Sequence, residues 1–162
     1  MKRALIIVFC LSACLADAPQ TLRSSVTGVS GVASRTIVVS THPHHVIYGR
    51  TVFTETMFKR SFALQFARAF DGVHAGLEVH SVWSRGEELT FQVAQQSTPY
   101  CRSNNCNSEL LGTLTFSEQE FTTFSKIGLS ARFIGPEAAI DVTVPAHLFR
   151  ITKDIAAARQ FR

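Results

Sequence analysis

The chain predicts an α+β fold, mainly an antiparallel β-sheet or sandwich with one well-capped helix at about 118–127 and a second helix near the end. Three features of the 162 residues carry that prediction. The first is a set of β-branched and aromatic runs, each four to ten residues long and bounded by Gly, Pro or polar clusters. The second is a pair of hairpin signatures, Leu77–Trp83 with Leu89–Val93 and Leu129–Ile134 with Ala139–Val144. The third is Phe116-Ser117-Glu118-Gln119-Glu120-Phe121, in which an N-cap serine is followed three residues later by glutamate and flanked by phenylalanines.

The first element is not part of the fold. Lys2 and Arg3 precede an apolar run from Ala4 to Ala13, the size of a secretory h-region and too short to cross a bilayer as a helix. A cut after Ala16-Asp17-Ala18 would leave Pro19 next to the cleaved bond, where its fixed φ and missing N–H suit an extended protease substrate badly. Leu11-Ser12-Ala13-Cys14 resembles the lipobox of bacterial lipoproteins. The resemblance covers only these residues. It implies a signal peptide at 1–13, cleavage before Cys14, and diacylglyceryl plus amino-terminal acylation of Cys14. It also implies a membrane partner reached through that lipid, since two or more acyl chains hold a protein on a bilayer where one does not. Lipoproteins kept in the inner membrane typically carry Asp after the cysteine, so Leu15 points to the outer membrane, facing the periplasm. Cys10 reads as a small apolar filler of the h-region.

Cleavage there leaves 149 of the 162 residues, enough for one domain with a core. It also removes Lys2 and Arg3, so 14 basic residues face 12 acidic ones and the net charge falls from +4 to +2. The basic residues are scattered, and no nucleic-acid partner is expected. Residues 14–34, rich in Ser, Thr, Gly and Ala, read as a lipid-anchored flexible tether with a reach of roughly 25 Å, onto which Val26, Val29 and Val32 offer docking points. A single globular domain is expected over 35–151.

Within it, Arg35–Ser40 is a β-branched run and the first predicted strand, and Val46–Tyr48 is a short extended piece ended by Gly49. Residues 51–70 carry two conflicting periods. Phe58, Phe62, Phe66 and Phe70 recur every four residues, as on a helix; Phe62, Leu64 and Phe66 alternate with Ala63, Gln65 and Ala67, as on a strand. A strand over Phe62–Phe70 is preferred, because the hairpin that follows needs a neighbour. In that hairpin Leu77, Val79 and Trp83 share one face with Leu89, Phe91 and Val93 opposite, across a turn over Ser84–Glu88 in which Gly86 supplies the positive φ. After the capping box, Phe121, Phe124 and Ile127 form the apolar stripe of the helix, which Gly128 ends. Pro145 stops the last strand, His147-Leu148-Phe149 tucks back towards the core, and 152–162 is a tail or short helix.

Residues for chemistry are few. Cys101 and Cys106 lie in a polar excursion and, in an exported chain, most simply form a disulfide worth about 2 kcal/mol on the loop-entropy model. The enclosed Arg102, Ser103, Asn104 and Asn105 are the candidate contact loop. His42, His44 and His45 form one histidine group, and His74, Glu78 and His80 another; neither has a zinc spacing, and no metal or other cofactor is expected. No catalytic residue is assigned: serine lacks a nucleophile-elbow setting, Glu87-Glu88 reads as a solvated turn, and no phosphate-binding glycine loop occurs. Two functions remain. One is a non-enzymatic, lipid-anchored envelope protein that binds or supports an envelope protein partner. The other is an enzyme or ligand-binding module acting on a cell-wall or glycan substrate, for which Trp83 would matter only on an exposed face.

Overall fold

The computed structural model describes residues 19–24, 28–42, 45–69, 78–93, 108–136 and 139–159. Among them the chain forms eleven strands and two helices. The predicted α+β architecture is present: two antiparallel sheets with two helices packed at one end.

The larger sheet has seven strands. Its spine is β4 (His45–Glu55) paired with β5 (Arg60–Ala69) in unbroken register from Val46↔Ala69 to Glu55↔Arg60. The strand period therefore wins over the four-residue phenylalanine period in this region. The reason is burial: Phe62, Leu64 and Phe66 point inward with their cross-strand partners Phe53, Thr51 and Gly49, and all six are buried. A helix would have left Leu64 off that stripe. Gly49 does not end the strand as expected. It lies within β4, where an added Cβ would stand 2.9 Å from Val39.

One edge of β4 is shared by two shorter strands, β2 (Val29–Ala33) and β3 (Ile37–His42). Ser34 makes the joint between them: its N–H donates to Thr51 O at 2.8 Å, and its hydroxyl accepts from Thr51 N–H at 3.0 Å. A side chain thus supplies one rung of the backbone ladder. The edge strand β1 (Gln20–Ser24) pairs with β2 from Gln20↔Ala33 to Ser24↔Val29. Much of the segment expected to be a flexible tether is therefore hairpin. Its Ser/Thr/Gly composition resembles a linker, but Val32 and Ala33 are buried, and that burial holds the strand in place.

On the other side of β5 comes β9 (Ser108–Phe116), with a register break between Phe66 and Ala67, and then β8 (Phe91–Val93). Gly112 sits where the Phe91 ring crosses β9. An added Cβ would meet that ring at 2.4 Å and Gln92 O at 2.5 Å.

The smaller sheet has the order β11-β10-β6-β7. The second predicted hairpin is present as β10 (Leu129–Ile134) and β11 (Ala139–Val144), with the buried–exposed alternation expected of strands covered on one face. The first is altered. β6 (Ser81–Ser84) and β7 (Glu87–Leu89) join through a two-residue turn in which Arg85 and Gly86 both have positive φ, 53° and 83°. Two positive φ values make a type I′ turn, whose twist matches that of the strands. The return strand breaks at Thr90: Leu89 pairs with Val82 in the smaller sheet, whereas Phe91 pairs with Leu114 in the larger. A crossing between sheets leaves no mark in hydrophobic alternation. The face assignment changes too, because Val79 and Val82 are buried while Trp83 is 39 % exposed.

Helix α1 (Glu118–Ile127) starts where the capping box placed it. Ser117 Oγ accepts from Glu120 N–H at 3.2 Å, and Glu120 Oε2 accepts from Ser117 N–H at 2.7 Å. Phe121 is buried and Phe124 half-buried, but Ile127 is 51 % exposed and falls off the expected stripe. Helix α2 (Ala146–Arg159) begins six residues earlier than expected, straight after Pro145. Leu148 and Phe149 are wholly buried, and so are Thr152 and Ala156. The terminal helix is part of the domain rather than a tail.

The core has two stations along β5. At one, Phe66 meets Phe133 of the smaller sheet edge-on at 4.8 Å, with Phe91 at 5.6 Å from the same ring. At the other, Phe62 meets Phe121 at 4.9 Å, and Phe121 meets Phe149 at 5.1 Å. One face of the large sheet is thus covered by the small sheet at one end and by the helix pair at the other.

Candidate functional site

Among the described residues, two exposed surfaces bring chemistry-bearing side chains together, and each sits on one of those covering layers. The first is a shallow cleft of about 340 Å³ between the helices, lined by Ser125 and Lys126 of α1 and by Arg150, Lys153 and Asp154 of α2. The inward turn of α2 is taken by Leu148, Phe149 and Thr152, so Arg150 and Lys153 flank the buried stripe. Lys126 lies in the last turn of α1, where the helix dipole favours a cation. Ser125 Oγ is committed to Thr122 O at 2.7 Å. Three cations against one carboxylate suit an anionic group, a carboxylate or a phosphate, held at the surface.

The second is the outer face of the smaller sheet. Register sets Glu88, Trp83, Arg132 and Asp141 side by side, one from each of β7, β6, β10 and β11. All four are exposed. Arg132 grips Asp141 with two parallel bonds, Nε to Oδ1 at 2.7 Å and Nη2 to Oδ2 at 2.9 Å. The paired guanidinium holds the Asp141 carboxyl below its usual range through that hydrogen bonding, and Asp141 in turn raises Arg132. Trp83 Nε1–H donates to Ser81 Oγ at 3.1 Å, which fixes the indole on the sheet. An aromatic plane beside forked polar groups is a surface on which a sugar ring can stack and hydrogen-bond.

The histidine groups come only partly into view. His80 Nε2 lies 2.9 Å from Glu78 Oε1, with both side chains more than half exposed. Among the described residues no three His, Cys, Asp or Glu side chains gather as a metal would need. His42 and His45 are register partners at the ends of β3 and β4, while His44 and His74 lie outside the described residues. Cys14, Cys101, Cys106 and the contact-loop residues Arg102, Ser103, Asn104 and Asn105 also lie outside them.

Sequence reasoning missed two cations placed by the fold. Arg68 is 1 % exposed on the inner face of β5, in register with Ile47. Arg60 ties three elements together: Nε lies 3.4 Å from Glu55, Nη1 4.0 Å from Glu118, and Nη2 donates to Ala156 O at 3.0 Å. Its guanidinium also covers the Phe53 ring at 5.0 Å. The i,i+5 spacing of Glu55 and Arg60 flags a pair only once a hairpin is assumed. The helix cleft carried no signal in the linear chain, because its two walls are 25 residues apart.

Comparison with known proteins returned no matching family model, no matching curated protein and no matching solved structure.

Proposed function

We propose that this chain is a lipid-anchored cell-envelope protein with a non-enzymatic binding or adaptor role, on the periplasmic side of the outer membrane. The observation that carries this reading is Leu11-Ser12-Ala13-Cys14 at the end of an h-region of the right length. The position of β1 supports it: the first strand begins at Gln20, so only Leu15–Pro19 separate Cys14 from the sheet. A chain cut before Cys14 keeps every described residue. Binding falls to the basic cleft of the helix pair, with residues 102–105 as the contact residues the sequence offers. The test is the Cys14→Ser chain, fractionated from whole cells. Loss of membrane association and an unprocessed precursor are expected. Wild-type protein free of acyl groups by mass spectrometry would defeat the reading.

The Glu88–Trp83–Arg132–Asp141 row favours a second reading, a module that binds a cell-wall glycan. It predicts co-sedimentation of the protein with purified peptidoglycan sacculi, abolished by Trp83→Ala with the melting temperature kept.

A further inference from the structure

The most exposed large apolar side chains of the described residues are neighbours. Met57 is 89 % and Phe58 92 % exposed, at the tip of the β4–β5 hairpin. Lone exposed apolar residues need no explanation, but two adjacent ones at a protruding tip mark a contact. The tip is built to hold them out. Thr56 N–H donates to Lys59 O at 2.9 Å, closing the turn, and Thr56 Oγ1 accepts from Lys59 N–H at 3.0 Å and Phe58 N–H at 3.3 Å. Behind the turn, Arg60 locks the hairpin to Glu55 and to the carbonyl of Ala156 on α2. The pair therefore stands on a hairpin tied at its turn and again to α2.

We propose that Met57 and Phe58 dock into the interfacial region of the lipid bilayer, with Lys59 at the headgroup phosphates, as a second, non-covalent contact of the anchored domain. The proposal rests on the lipid-anchor reading of Cys14. Two observations favour a bilayer over a protein pocket. The tip is convex rather than a groove, and it presents an aromatic and a flexible thioether, side chains that a lipid interface accepts without shape complementarity. Charge adds to this: Arg60 lies between Glu55 and Glu118, and the exposed Lys59, next to Phe58 at the tip, is placed to meet anionic lipid. The chain length sets a condition. Gln20 pairs with Ala33, which pairs with Val52, five residues or about 16 Å short of Met57. β1 runs towards the tip, as β4 does, so the chain before Gln20 leaves in the opposite direction. The six residue steps from Cys14 to Gln20 span up to about 22 Å, so a lipid on Cys14 can enter the leaflet of the tip only if that segment turns back along β1.

The chain contains one tryptophan, Trp83, so a single reporter can be moved. Phe58→Trp in a Trp83→Phe background is purified as the full processed protein, and the acyl state of Cys14 is read by mass spectrometry. It is mixed with vesicles of phosphatidylethanolamine and phosphatidylglycerol carrying a nitroxide on the acyl chain. Emission should shift to the blue and lose about half its intensity or more to the nitroxide, as for a side chain a few ångströms below the headgroups. Thr143→Trp in the same background, on the outer face of the smaller sheet, should do neither. Adding Met57→Ser and Lys59→Ala should reduce quenching at position 58. Water-like emission at position 58, or equal quenching at both positions, would overturn the proposal even with Cys14 acylated. Quenching at 58 without acylation would uphold it and remove the anchor instead. An unmoved reporter in vesicles, with crosslinking of position 58 to a protein in intact envelopes, would replace the bilayer by a partner.

Discussion

The two helices lie side by side over the same end of the larger sheet, yet they are held by different kinds of interaction. Helix α1 carries its own start signal. Ser117 and Glu120 satisfy each other's backbone N–H groups, Phe116 and Phe121 approach across the first turn at 6.3 Å, and Lys126 and Gly128 finish the last turn. Helix α2 lacks acidic residues in its first turn and follows a proline. Its position comes from the sheet. Thr51 Oγ1 donates to Leu148 O at 3.0 Å and so accepts from Thr152 Oγ1 at 2.7 Å, with both hydroxyls wholly buried. Arg60 then satisfies the carbonyl of Ala156 one turn later. The lesson is that a helix can be specified by ten consecutive residues or by partners a hundred positions away, and only the first kind is visible in a local window.

If that contrast is right, damage to the tertiary contacts should exceed damage to the cap. Phe149→Ala should cost most, about 3–5 kcal/mol, because it empties the centre of the ring cluster formed with Phe116, Phe121 and Phe124. Urea denaturation measures it, and a cost below that of the cap variant would break the comparison. Next comes Thr152→Val, at about 1–2 kcal/mol, since it leaves the buried Thr51 hydroxyl without its donor. A double cycle with Thr51→Val sharpens the point: the pair should be strongly non-additive. Ser117→Ala should cost about 1 kcal/mol. Hydrogen exchange should show that loss concentrated in the first turn of α1, with α2 unchanged.

The smallest effect is expected where neither helix takes part. Asp141, held low by Arg132, should titrate in NMR below the ordinary aspartate range. The sign follows from linkage: with the folded pKa depressed, its contribution is present above the unfolded pKa and fades as pH falls through the folded one. Arg132→Ala should return the titration to normal with little change in melting temperature, because both side chains are more than half exposed.

The hairpins repeat the contrast. β10 and β11 were readable because both strands stay in one sheet, so a single period of two runs through each. The β6–β7 pair was readable in its turn and not in its length. Thr90 carries the chain from one sheet to the other, and no residue type marks such a crossing. β1 and β2 were missed for a related reason. Their composition is that of a linker, and only the edge of β4 makes them strands.

What the sequence determined by itself was local chemistry: the α+β class, the α1 cap, the positive φ of Gly86 within the expected Ser84–Glu88 turn, and the hairpin of residues 129–144. These depend on groups within a few residues of one another, so a linear window contains their cause. Only the tertiary structure decided which of two periods residues 51–70 follow, where the large sheet begins, and that Trp83 faces out while Arg68 lies inside. It also decided which cations meet in the helix cleft and that Met57 and Phe58 are, among the described residues, the most exposed large apolar side chains. Those outcomes depend on which faces find cover. Cover is a property of distant segments, and a face left uncovered is recognisable only once all the others have been packed.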